Sequence, residues 1–111
     1  MTQVELIAGL KTFRMPVAHN DFKETPALPY IILREAGARG WGSDERNEIR
    51  QANWLVEIYT VKKDLQAQGK VEAWLNDQGI EWTMTFDDLI ESEGLYLTAY
   101  FFETTNKIRR A

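Results

Sequence analysis

The stretch NWLVEIYTVKKDLQAQGKVEAWLNDQGIEWTMTFDD, residues 53–88, decides the fold. Residues 53–61 alternate in a run rich in β-branched and aromatic side chains. Trp54, Val56 and Ile58 take one face and Leu55, Glu57 and Tyr59 the other, which predicts a strand. From Lys62 to Gln78 the period lengthens and no proline intervenes; Leu65, Val71, Trp74 and Leu75 suit one face of a helix. Gly69 within it costs about 1 kcal/mol against alanine, and Gly79 is placed to end the helix as a left-handed cap. Residues 80–88 then return to strict alternation. Ile80, Trp82, Met84 and Phe86 oppose Glu81, Thr83, Thr85 and Asp87, which predicts a half-buried strand whose apolar side faces the helices.

Working outward, the segment before this core is AGARGWGSDERN, residues 36–47, with three glycines and four charges around Trp41. It reads as a flexible loop or hairpin arm over 37–47. Before it, LPYIILRE (28–35) opens on Pro29 and continues as a β-rich run buried on both faces. Strand, glycine-rich excursion and strand make an antiparallel hairpin. Residues 16–18 form a brief extended piece, and 20–26 a polar connection. At the start, Thr2 and Glu5 form a capping box ahead of a short helix stopped by Pro16, its apolar stripe running Val4, Ile7 and Leu10, flanked by Leu6 and Phe13.

After residue 88, Gly94 closes a charged turn, and LYLTAYFFETT makes a last strand with apolar side chains on both faces. That suits a central strand or a sheet face covered by a neighbouring subunit. Residues 105–111 read as a frayed tail. The expected fold class is α+β: a single domain over 1–111 with an antiparallel-rich sheet of four to five strands and two helices on one face, in the order α-β-β-β-α-β-β.

Composition narrows function. With 44% hydrophobic and 27% charged residues, the chain has an ordinary globular make-up. It contains no cysteine and only one histidine, His19, which excludes a disulfide scaffold, a thiolate metal site and a multi-histidine centre within one chain. A net charge of −4 argues against a dedicated nucleic-acid binder. The first residues lack the apolar core of a signal peptide, and no apolar run is long enough to span a membrane, so a reducing cytoplasm is the expected setting.

Four features invite a site. Gly37, Gly40 and Gly42 lack the dinucleotide spacing and the Lys-Ser/Thr ending of a phosphate loop, so a mobile arm is the better reading. Asp87, Asp88, Glu91 and Glu93 could serve acid–base or calcium chemistry, but they lack the calcium-loop spacing and suit a solvated connection. His19, beside Asn20 and Asp21, reads as a surface histidine. Trp54, Trp74 and Trp82 fall at core positions, whereas Trp41 stands in a charged loop and suits an interface or local packing about equally. No catalytic residue, cofactor or metal site is expected, and the chain is not expected to be an enzyme.

Three stretches taken together carry a family resemblance: LPYIILRE, WLVEIYTVKKDLQAQGKVEAWL and DLIESEGLYLTAYFFE. They resemble the small tail-completion proteins of long-tailed phages and prophages, related to the tail terminators. The resemblance covers most of residues 4–103 and rests on packing patterns; the VEIYT-then-KKD junction is its most specific part, and 39–47 and the C-terminal tail contribute nothing. It implies a structural protein that forms a ring, usually a hexamer, on the head-proximal end of the tail tube. Such a ring ends tube polymerisation and joins tail to head. The implied partners are further copies of the chain, the tail tube protein and a head–neck connector protein, with DNA passing through the lumen without specific binding and no membrane involved. The implied location is the tail–neck of a virion assembled in the host bacterial cytoplasm. Contacts in such a ring would draw on Arg39, Trp41, Arg46 and Arg50 meeting Asp87, Asp88, Glu91 and Glu93. Other readings are a different neck component (connector or adaptor), a small acidic inhibitor of a host enzyme, and an enzyme subunit whose site forms between chains.

Overall fold

The computed structural model describes residues 1–42 and 47–109. In chain order these form α1 (Gln3–Lys11), β1 (Val17–His19), β2 (Tyr30–Gly42), β3 (Asn47–Thr60), α2 (Leu65–Asp77), β4 (Trp82–Ile90), a 3₁₀ turn (Glu91–Glu93) and β5 (Leu95–Arg109). The strands make one five-stranded sheet in the order β1-β2-β3-β5-β4, antiparallel except for the β1–β2 pair. The fold class is therefore α+β, with the expected element order.

Local chemistry starts each helix. At α1 the Thr2 side chain accepts from Glu5 N–H while the Glu5 carboxylate accepts from Thr2 N–H, completing the capping box. At α2 the Asp64 side chain accepts from Ala67 N–H, and Gly79 follows the helix with φ 71°. Both helices cover one face of the sheet. Leu6 and Leu10 from α1 and Ala67, Val71 and Leu75 from α2 join Ile31, Leu33, Trp54, Val56, Ile58, Tyr100 and Phe102 in a single buried cluster.

The helical stripes read in the sequence hold at Leu10, Val71 and Leu75, which are buried, with Ile7, Phe13 and Trp74 packed against the core. Val4 and Leu65 depart from them, 76% and 71% exposed, and Leu6, read as flanking, is fully buried beside Leu10. The Leu6/Leu10 and Val71/Leu75 pairs have the i, i+4 spacing that sets two side chains on one helix face.

β4 departs from its alternation for a structural reason. A bulge sets both Thr85 and Phe86 opposite Ala99, so Met84 stays against the core while Phe86 turns to the other face, 42% exposed. Phe86 does not face the helices. β2 carries a second bulge between Glu35 and Gly37, where Gly37 has φ 128°, a region that glycine alone enters readily.

Beyond that bulge the sequence reading of a flexible loop over 37–47 gives way to paired strand. Gly37–Gly42 continue β2 with the register Gly37↔Asn53 through Gly42↔Glu48, and residues 43–46 lie outside the described residues. The expected frayed tail at 105–111 is likewise strand as far as Arg109, paired with β3 to Asn47↔Arg109; 110–111 lie outside the described residues. The physical cause is mutual. Residues 47–53 of β3 find hydrogen-bonding partners on both sides, and the β-prone Thr104 and Thr105 supply one of them. The result is a three-stranded arm, which carries the long dimension of a molecule measuring 51 × 29 × 23 Å.

Candidate interaction surface

The arm and the sheet face opposite the helices are the two surfaces that carry the expected interface residues and the exposed Trp41 and Phe86. On that open face Phe86 is exposed and Leu55, Tyr59 and Phe101 are half-buried, while Tyr30, Ile32 and Ala99 are buried, all aligned across four strands by register. Tyr30 and Tyr59 stack at 4.8 Å and 15°, and Phe22 meets Tyr30 edge-on at 5.4 Å, so residues before β2 shelter one corner. Polar groups sit among these rings. Arg34 donates from Nε to Glu57 Oε1 at 2.6 Å and from a guanidinium nitrogen to the Asn20 carbonyl at 2.6 Å; Tyr59 donates to the same Glu57 oxygen at 3.0 Å. Burial, with Glu57 alongside, pushes the Tyr59 hydroxyl up to about 12. The sequence pattern signalled the open-face side chains as the second face of each strand; it did not signal the Arg34–Glu57–Tyr59 set.

At the arm's outer half, Arg39 lies over the Trp41 ring with its guanidinium carbon 4.8 Å from the ring centre, and Trp41 is 43% exposed. Both point to the open face, the side of Gln51, which bonds Glu103. Arg50 points to the opposite face and bonds Glu35 at 2.5 Å. Arg46 lies outside the described residues. The arm residues proposed from the sequence therefore divide between two faces.

The acidic residues lie at the other end of the sheet. Asp87 is on the helix side, bonded to Lys63, to Gln68 at 2.8 Å and to Thr98 at 3.3 Å. The Lys63 ammonium holds the Asp87 carboxyl below the usual carboxylate range. Asp88 is exposed and accepts from its neighbour's Leu89 N–H at 2.7 Å, while Glu91 and Glu93 are exposed on the 3₁₀ turn. Within one chain the structure does not bring Arg39, Trp41 or Arg50 to these carboxylates, because β5 runs from the acidic end at Leu95 to the arm end at Arg109.

His19 is not a loop histidine. It ends β1, its Nε2 is buried without a hydrogen-bond partner, and its ring meets Trp54 at 6.4 Å. Its burial follows from the parallel β1–β2 pairing, His19↔Leu33, a long-range contact that local sequence does not encode. Among the described residues, no group of three His, Asp or Glu side chains converges to hold a metal ion, and no helix is long and apolar enough to cross a membrane.

No protein-family model matches the chain, and no curated protein is significantly similar to it.

Proposed function

We propose that this chain is a structural phage protein that caps the tail tube at its head-proximal end as a ring, ending tube polymerisation and joining tail to head. The observation that carries this reading is the three-stranded arm with Trp41 exposed at its outer half. Exposed tryptophan and arginine are enriched where proteins meet. The polarity of the molecule supports the same reading. Arg39 and Trp41 lie towards one end of the sheet and Asp88, Glu91 and Glu93 at the other, so the molecule is polar and copies can join head to tail through unlike surfaces. Such head-to-tail contacts use two different patches and close into a ring when the rotation permits.

A ring of chains each carrying −4 would be acidic overall and could present a negative lumen. DNA binding is driven by cationic side chains, so such a lumen would pass DNA without retaining it. The resemblance of LPYIILRE, the VEIYT-then-KKD junction and DLIESEGLYLTAYFFE to tail-completion proteins supplies the biological setting. The test is electron microscopy of particles made without this protein. Filled heads beside unjoined, overlong tails are expected. Joined particles with tails of normal length would refute the reading, and unjoined tails of correct length would favour a connector role instead.

A further inference from the structure

Two strand edges along the arm are unpaired among the described residues. β1 pairs with β2 only as far as Leu33, and β4 pairs with β5 only as far as Phe102. Backbone parity tells which groups those edges offer. Asn20 N–H donates to the Leu33 carbonyl at 2.7 Å and Ile31 N–H to the Pro16 carbonyl at 2.8 Å, so the odd residues of the first half of β2 face outward. The bulge at Ala36 reverses that parity, leaving Ala38 and Gly40 to face outward while Gly37 and Arg39 turn to β3. On β5 the Ala99 carbonyl accepts from the Thr85 hydroxyl of β4 at 3.4 Å, which sets Glu103 and Thr105 outward beyond the end of β4. Each row is a template for a further strand.

A groove of about 600 Å³ lies along the β5 edge, lined in part by Gly79, Glu81, Trp82, Glu103 and Thr105. The β2 edge has its own peculiarity at Gly40. A Cβ there would make only ordinary contact, 3.5 Å from the Ile49 carbonyl oxygen, so the chain itself does not require glycine. A strand glycine without an internal cause suits close approach by another backbone. β2 and β5 are both antiparallel to β3 and therefore run in the same direction, towards the arm's end. Charge also matches: Glu81 and Glu103 flank the β5 edge, and Arg39 flanks the β2 edge.

We infer that the β5 edge beyond Phe102 receives the glycine-rich β2 edge of a second copy, in parallel, so that one sheet continues from arm to arm. The two edges are different surfaces on opposite sides of the arm, so each copy offers both halves of the contact and its repetition closes a ring. This rests on the ring reading for its closure, but the pairing itself is tested without phage particles.

The chain has no cysteine, so cysteines placed by substitution report cleanly. Trp41→Cys combined with Thr105→Cys, two side chains on the same face of the proposed continuous sheet, treated with a short bismaleimide, is expected to give a covalent ladder ending in a closed oligomer, whereas each single variant stays uncrosslinked. A covalent dimer from Thr105→Cys alone would mean a two-fold β5–β5 contact and overturn the inference. So would oligomers seen by light scattering without a 41–105 crosslink, or a chain that stays monomeric at its highest attainable concentration. Thr105→Pro provides the second arm of the test. Its N–H faces outward, so proline removes no internal sheet bond. It is expected to keep the monomer's melting temperature and lose assembly; assembly equal to wild type would overturn the inference. A 41–105 crosslink in a chain whose loss leaves tails joined and of normal length supports the edge pairing while removing the tail role. Unjoined, overlong tails without that crosslink leave the tail role and remove the edge pairing.

Discussion

Trp54 is the best single probe of the core, because its contribution divides into packing and one hydrogen bond. It is 2% exposed, and its Nε1–H donates to Thr104 Oγ1 at 2.8 Å, across the β3–β5 ladder. Trp54→Phe keeps an aromatic ring but leaves a void and removes the donor. The void costs about 1 kcal/mol at ~24 cal/mol per Å3, and the hydrogen bond about 1 kcal/mol more. Thr104→Val instead strands the buried indole N–H, at a cost of about 1–3 kcal/mol. The double variant replaces both partners by apolar groups and should cost about 1 kcal/mol less than the sum of the two singles. Urea unfolding followed by circular dichroism reads all four chains. With a slope of about 1–1.5 kcal/mol per M, Trp54→Phe should lower the midpoint by roughly 1.5 M. Strictly additive losses would refute the hydrogen bond. A near-native midpoint for Trp54→Phe would refute the register that buries this ring.

Three further outcomes follow from the same geometry. A Cβ at Gly9 would stand 2.1 Å from Trp74 Cζ2, whereas one at Gly69 would meet nothing within 4 Å. Gly9→Ala should therefore destabilise by about 1–3 kcal/mol and Gly69→Ala stabilise by about 0.5–1 kcal/mol; the same melting shift for both would contradict the α1–α2 contact. Because Asp87 titrates below its ordinary value through Lys63, its contribution to stability is complete above about pH 4 and is lost as pH falls through the lowered value. Asp87→Asn should flatten the acid limb of stability, and unchanged slopes below pH 4 would contradict the Lys63 contact. Tyr59 titrates at about 12, above its unfolded value near 10, so its contribution is present below pH 10 and lost as pH rises towards 12. Tyr59→Phe should reduce alkaline unfolding in that window, and identical pH profiles would place the hydroxyl in solvent.

The parts of the fold legible in the sequence were those whose periodicity comes from burial on one face. Trp54, Val56 and Ile58 alternate because α1 and α2 cover that side, and the shift at Lys62 marks where the chain leaves the sheet. The β4 alternation was legible only to Met84. Nothing in the side chain of Thr85 announces an extra residue; the bulge arises from pairing with Ala99, on a strand still to come. The arm misled for a related reason. Glycine and charge in 36–47 mark weak local strand preference, yet strand pairing there depends on what β3 and β5 supply from elsewhere in the chain. Of the residues proposed for an interface, Arg39 and Trp41 were recognisable as an apolar ring among charges. The separation of Arg50 onto the other face depends on strand parity beyond the β2 bulge, which no local pattern fixes.

That bulge also marks a change in what holds the sheet together. Below it, β2 is buried on both faces, with Tyr30, Ile31, Ile32 and Leu33 all inside. Above it, strand pairing and a few buried side chains must keep the arm in shape. Ala52 and Thr104 are buried at its base, and the N-terminus secures it further. Asn106 Nδ2 donates to the Met1 carbonyl at 2.9 Å, while the Met1 ammonium donates to Asn106 Oδ1 at 3.2 Å. These contacts tie the base of the arm to the start of α1 within the single chain. A preformed arm loses less conformational freedom on association than a loop that must fold onto its target. The same glycines that suggest looseness in the sequence therefore stand in a paired strand, and under the proposed ring reading the free energy of its contacts would be available for assembly instead of being consumed by ordering.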